Sequence, residues 1–135
     1  MNVLLVEDNK DLASCVANAL SHLGHTTVLA STIDEAGTLI RNEELIDAAL
    51  LDFDVAGQKS TGIAQLLDER NVPYAMTSGY ARSDMPAALS RKWHVRKPYD
   101  LSDLERALRF CSVSQTSSSG SSVRPANGYR VGAPS

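Results

Sequence analysis

Short runs of apolar residues alternate along the chain with segments in which apolar residues recur at helical spacing. Residues 3–6 form the first run, and such an unbroken run is typical of a strand buried on both faces of a parallel sheet. From Asp11 the spacing becomes that of a helix with one apolar stripe, and Gly24 is predicted to end this helix. The members of the stripe are Leu12, Val16, Ala19, Leu20 and Leu23.

The same alternation continues through most of the chain. Thr32 followed by Glu35 predicts a capping box at the start of a second helix. A third helix follows a polar and flexible loop at residues 55–60, Pro86 lies near the start of a short fourth helix, and Asp100 can cap the last helix. The remaining apolar runs predict strands at residues 25–30, 48–51, 72–76 and 93–95.

Strands that alternate with helices imply right-handed βαβ units and a parallel sheet covered by helices on both faces. Five such strands predict an α/β fold with a doubly wound, five-stranded parallel sheet of order 2-1-3-4-5, as in flavodoxin-like proteins. We expect one domain over residues 1–112. Residues 113–135 are rich in Ser, Gly and Pro, and we expect them to form a flexible tail.

The charge and the hydrophobicity of the chain exclude several classes of function. The net charge is −3 and the Lys and Arg residues form no cluster, so we expect no nucleic-acid binding by this chain alone. No signal peptide and no apolar run of membrane-spanning length are present, so we expect a cytoplasmic protein with no membrane contact. Cys15 and Cys111 are expected to be two buried, free thiols.

Polar side chains that can do chemistry follow four of the five predicted strands directly. In an open α/β sheet, ligands bind in the crevice beyond the carboxyl ends of the strands. Strands one, three, four and five are neighbours in the predicted order, so their following residues should converge on one pocket. These residues are Glu7, Asp8, Asp52, Asp54, Thr77, Ser78 and Lys97.

The residue types indicate phosphoryl chemistry. Carboxylates at close range remain ionised together only with a cation among them, and hard oxygen ligands favour Mg²⁺. Asp52 lies at the centre and can act as a carboxylate nucleophile that forms an aspartyl phosphate. The hydroxyl of Thr77 and the ammonium of Lys97 are donors that could bind the remaining phosphoryl oxygens.

Several motifs of residues 1–112 resemble the receiver domain of bacterial response regulators, the CheY-like family. They are the acidic pair in Leu5-Val6-Glu7-Asp8, Asp52 after Leu50-Leu51, Thr77 after the fourth strand, and Lys97-Pro98. The resemblance implies that Asp8 and Asp52 ligate Mg²⁺ directly, that Glu7 acts mostly through water, and that the backbone carbonyl of Asp54 is a further ligand. It also implies a cis peptide bond between Lys97 and Pro98.

A narrower resemblance concerns the single-domain "FAT GUY" receivers, which are associated with histidine kinases of the HWE and HisKA2 types. It rests on residues 51–80, although Met76 and Ser78 depart from the strict motif. Most receivers carry Tyr or Phe three residues before the lysine as a switch aromatic, and this chain has His94 there. His94 and Tyr80 are therefore the two candidate switch residues.

These features predict a single-domain response regulator rather than an enzyme. A histidine kinase or a phosphotransfer protein would phosphorylate Asp52, and the signal would pass by protein binding, or the chain would act as a phosphate sink. The alternative is a haloacid-dehalogenase-like phosphatase with Asp52 as nucleophile and Asp54 as acid/base. That reading leaves Glu7-Asp8 unexplained and lacks acidic ligands after Glu105. A receiver that serves only as an unphosphorylated docking module is a third hypothesis.

Overall fold

Five parallel strands form the central sheet of the structure, a computed structural model that describes residues 1–42, 45–79 and 93–118. Their order across the sheet is β2-β1-β3-β6-β7. Counted among the predicted strands this is 2-1-3-4-5, so the predicted fold class is confirmed. The bounds are β1 Asn2–Val6, β2 Thr26–Ala30, β3 Ala48–Asp52, β6 Tyr74–Ser78 and β7 Trp93–Arg96.

Helices cover both faces of this sheet. They are α1 (Lys10–His22), α2 (Ile33–Arg41), α3 (Thr61–Glu69) and α4 (Leu101–Ser118). The predicted short helix near Pro86 lies outside the described residues. Within the described ranges, no helix combines the length and the apolar character that crossing a membrane requires.

Alternate residues of each central strand pack into two separate hydrophobic clusters. On β1, Leu4 and Val6 contribute to the cluster that includes residues of α2 and α3, whereas Val3 and Leu5 contribute to the cluster that includes residues of α1 and α4. All four side chains are at most 3% exposed. A strand buried on both faces cannot alternate apolar with polar residues, which explains the unbroken apolar run in the sequence.

Helix caps agree with the sequence signals. The Thr32 hydroxyl accepts a hydrogen bond from the backbone amide of Glu35 at 3.1 Å, as predicted for the capping box. Asp100 and Asp103 form a reciprocal pair at the start of α4, in which each carboxylate accepts from the other residue's backbone amide at 2.9 Å. Asn9, which the sequence analysis did not single out, caps α1 by accepting from the amide of Leu12 at 3.0 Å.

Residues 55–60, predicted as a flexible polar loop, are instead mostly structured. Strands β4 (Asp54–Val55) and β5 (Gln58–Lys59) pair antiparallel as a two-residue hairpin. Val55 and Ser60 are fully buried, so this segment is anchored to the core rather than solvated. Two-residue strands are too short to show a hydropathy pattern, which is why the sequence prediction was wrong here.

Three further expectations concern the start of the C-terminal tail and the burial of the two cysteines. Helix α4 continues through residues 113–118, which were predicted to begin the tail, and residues 119–135 lie outside the described part. Cys111 is buried as expected, but Cys15 is exposed. Cys15 is exposed because it falls outside the apolar stripe of α1, whose buried members are Ala13, Val16 and Leu20.

Candidate functional site

Three carboxylates meet beyond the carboxyl ends of β1 and β3. One oxygen from each of Glu7, Asp8 and Asp52 can be chosen so that all lie within 4.8 Å of one another. Glu7 is 2% exposed and Asp52 is 5% exposed, whereas Asp8 is open to solvent. Two buried acids beside a third one create a strongly negative site, which favours a bound cation.

Strand register brings a hydroxyl and an ammonium to the same site. Asp52 is the Cα partner of Thr77, and Thr77 is in turn the partner of Val95 on β7. The Thr77 side chain is buried. Lys97 follows the end of β7, where its backbone amide donates to the Ser78 carbonyl at 2.8 Å and its peptide bond to Pro98 is cis.

Lys97 is the electrostatic centre of the buried part of the site. Its Nζ donates to Oδ2 of Asp52 at 3.0 Å and to Oε1 of Glu7 at 3.3 Å. Burial works to lower the pKa of this ammonium, but the contacts with Asp52 and Glu7 outweigh burial and raise it. Lys97 is therefore firmly charged and bridges two strands through their terminal acids.

Burial at the centre of the site disfavours ionisation of Asp52. Burial raises its pKa to about 6, and the nearby charge of Glu7 adds to this, against the opposing effects of Lys97 and the backbone amide of Asp54. One ammonium thus does not fully compensate the acids of the site. A divalent cation would supply the missing positive charge, and three carboxylates are a donor set of the hard kind that Mg²⁺ takes.

The hydrogen bonds of the three acids suggest how they would share such a cation. Glu7 has both oxygens engaged, since the amide of Asn9 donates to Oε2 at 3.1 Å while Lys97 holds Oε1. Asp8 accepts at Oδ2 alone, from the backbone amide of Ala56 at 3.0 Å, among the contacts of the described residues. This arrangement suits indirect participation by Glu7 and direct ligation by Asp8.

Asp54 does not join the cluster with its side chain. Its carboxylate pairs with the ammonium of Lys59 across the β4–β5 hairpin, and both side chains are exposed. Lys59 could not be predicted as its partner, because nothing in the sequence shows that a tight turn brings Lys59 back beside Asp54. The ligand role of the Asp54 backbone carbonyl stays a prediction.

The two candidate switch residues fall in different parts of the chain. His94 is half-buried on β7, and its Nε2 lies 2.8 Å from the hydroxyl of the buried Ser78 on β6. Tyr80 lies outside the described residues. The structure therefore connects His94 to the residue that follows Thr77, and a switching role for either residue stays a prediction.

Tyr99 is a second contributor that sequence reasoning did not assign to the site. It packs against the hydrophobic cluster between the sheet and helices α1 and α4. Burial raises the pKa of its phenol, and the negative charges of Glu7 and Asp52 raise it further. The phenol therefore stays protonated. The position of Tyr99 two residues after Lys97 is the feature of the sequence that could have indicated a place near the site.

The raised pKa of Asp52 predicts a pH-dependent stability in metal-free buffer. The pKa is about 6 in the folded chain against an ordinary value of 3.8, so within this window the folded state holds a proton that the unfolded state has released. The contribution of Asp52 to folding is therefore favourable at low pH and is lost as pH rises through about 6. Urea unfolding of the wild type and Asp52→Asn with EDTA, from pH 4 to 7, should show the wild type losing stability relative to the variant. A constant difference would contradict the prediction.

No protein-family model and no curated protein sequence matches the chain. Among solved structures, SdrG from Sphingomonas melonis Fr1 is 29% identical, with a TM-score of 0.69 over 81% of this chain and 93% of SdrG.

Two receiver domains described as CheY-like are also similar in structure. The one from Methanospirillum hungatei JF-1 is 20% identical, with a TM-score of 0.73 over 87% of this chain and 97% of that one. The one from Methylobacillus flagellatus is 20% identical, with a TM-score of 0.72 over 82% and 98%. Together with the strand order, these similarities show that the chain has the fold of CheY-like response regulator receiver domains.

Proposed function

We propose that this chain is a phosphoacceptor switch of a two-component phosphorelay, in which Asp52 receives a phosphoryl group. The observation that carries the proposal is the contact between Asp52 and Lys97 at the centre of the acidic site, with Thr77 as the Cα partner of Asp52. A buried carboxylate with an ammonium, a hydroxyl and two further acids around it is equipped to take a phosphoryl group and hold it.

In the proposed reaction, an oxygen of Asp52 attacks phosphorus while the bond from phosphorus to the donor nitrogen or oxygen breaks. The Lys97 ammonium, which now donates to Asp52, is placed to donate to an incoming phosphoryl oxygen. The Thr77 hydroxyl would donate a hydrogen bond to another phosphoryl oxygen. Mg²⁺, held by Asp8, Asp52 and the Asp54 carbonyl with Glu7 acting through water, would offset negative charge on the phosphoryl group.

The donor in this proposal is a histidine kinase, of the HWE or HisKA2 type, or a phosphotransfer protein. Support comes from the resemblance of residues 51–80 to the single-domain "FAT GUY" receivers. Phosphorylation would shift the balance between two conformations of the β6–β7 side of the site, with His94 and Tyr80 as candidate switch residues. The readout would be protein binding or withdrawal of phosphate from a kinase, in the cytoplasm.

The phosphatase alternative is less well supported. It requires Asp54 to act as acid/base beside the nucleophile, but the Asp54 carboxylate is paired with Lys59 on the hairpin. It also gives no role to Glu7, which shares Lys97 with Asp52. The observed pairing thus favours the receiver reading.

Labelling with a small phosphodonor tests the proposal directly. Wild-type protein incubated with acetyl phosphate and Mg²⁺ should gain one hydroxylamine-sensitive phosphoryl group, seen as one added phosphoryl mass on the intact chain. The same incubation with EDTA in place of Mg²⁺ should leave the chain unmodified. An unmodified chain in both incubations, or rapid turnover of phosphate monoesters, would refute the proposed function.

A further inference from the structure

The β4–β5 hairpin touches the acidic site at one defined atom. The backbone amide of Ala56, at the tip of the hairpin, donates to Oδ2 of Asp8 at 3.0 Å. Asp8 is the exposed member of the acidic cluster, whereas Glu7 and Asp52 are fixed by burial and by Lys97. An exposed carboxylate would otherwise sample several rotamers, so this hydrogen bond selects one direction for it.

The tip of the hairpin has an unfavourable backbone conformation. Ala56 has φ of 50° and Gly57 has φ of 83°, the two positive angles of the tight turn that matches strand twist in a two-residue hairpin. Gly57 adopts its angle readily, but the left-handed region is sterically unfavourable for alanine, because its Cβ approaches the following carbonyl oxygen. Such a residue persists only where its surroundings determine the conformation.

Contacts at the base of the hairpin hold the turn in this conformation. Asp54 pairs with Lys59 in the strand register and through their side chains. The Lys59 ammonium also lies 4.9 Å from the ring centre of the buried Phe53, and the Ser60 amide donates to the Phe53 carbonyl at 2.9 Å. The hairpin is therefore fixed to the residue that directly follows Asp52.

From these contacts we propose that the hairpin at residues 54–59 is a positioning element for Asp8, which orients its carboxylate for cation binding. The inference rests on the proposed function, because it concerns the cation of that same site. It adds that the affinity for Mg²⁺ depends on the Ala56–Gly57 turn, which itself contributes no side chain to the site. In this chain the connection after β3 thus orients an acid that follows β1.

Gly57→Val is the decisive variant, with Gly62→Val as its matched control. A Cβ at Gly57 would meet no atom within 4 Å, so the substitution acts through the positive φ and not through a clash. A Cβ at Gly62 on α3 likewise meets nothing, and Gly62 does not share the positive φ of Gly57. Titration calorimetry with MgCl₂ should show about tenfold weaker binding for Gly57→Val, the usual effect of losing a partner of a metal ligand. The Gly62 variant should bind as the wild type does.

The outcomes separate this inference from the proposed function. Wild-type protein that binds no Mg²⁺ would overturn both. Wild-type binding that a folded Gly57→Val variant retains in full would overturn the hairpin inference alone. Should Gly57→Val fail to fold, Gly57→Ala strains the same angle less, and a smaller loss of affinity in the same direction is expected. An affinity equal to that of the wild type in Gly57→Ala would then refute the inference.

Discussion

Asp52→Asn should remove all phosphoryl labelling by acetyl phosphate and Mg²⁺, while Asp54→Asn should still be labelled. The amide of asparagine is neutral and a poor nucleophile, so no acyl phosphate can form at position 52. The fold should survive, because asparagine fills the same volume and removes a carboxylate whose ionisation burial already disfavours. Intact-mass spectrometry after a fixed incubation measures the labelled fraction.

The Asp54 variant controls for a general effect of removing an acid near the site. Its carboxylate is engaged with Lys59 on the hairpin and is not part of the acidic cluster. Labelling that disappears in Asp54→Asn but persists in Asp52→Asn would show that Asp54, and not Asp52, is the nucleophile. That result would contradict both the receiver hypothesis and the phosphatase alternative, because Asp52 is the nucleophile in each.

Lys97→Met should cost the metal-free protein much more stability than Lys59→Met. Removing Lys97 leaves Asp52 and Glu7 buried without their shared cation, and breaking a buried ion pair on one side costs about 3 kcal/mol. The pair of Lys59 with Asp54 is exposed, so its loss should cost less than about 1 kcal/mol. Urea unfolding with EDTA at pH 7 gives both free energies of unfolding.

Two further measurements make the lysine prediction specific to the site. Added Mg²⁺ should recover part of the stability lost in Lys97→Met, because a bound cation compensates the same acids. Labelling of Asp52 should slow by about 100-fold, as when one preorganised donor is removed from an active site. Equal losses of stability in the two lysine variants would show that Lys97 is not the compensating charge of the cluster.

The sheet order could be predicted because its causes are visible in the sequence. Residues 3–6 and 48–51 are apolar throughout, which requires burial on both faces, and the right-handed crossover then limits the order of the strands. The bounds of the strands were predicted less accurately than their order. The fourth strand was predicted at residues 72–76 but runs from Tyr74 to Ser78, since its last two residues are polar and hydropathy does not register them.

The acidic site was only partly predictable for a related reason. Glu7, Asp52 and Lys97 follow strands, so the topology alone brings them to one edge of the sheet. The contacts made by loops could not be foreseen. Ala56-Gly57 lacks the Asn-Gly pattern that usually announces a two-residue hairpin, so neither the turn nor its hydrogen bond to Asp8 was expected.

Because Cys111 is buried and Cys15 is exposed, only Cys15 is accessible to thiol-reactive probes. Burial raises the pKa of the Cys111 thiol to about 12, which keeps it protonated and unreactive, whereas Cys15 is exposed on α1. A maleimide dye should therefore attach at one position per molecule without any mutation. That position lies on the helix that begins beside the acidic cluster, so the dye would report partners that dock near it.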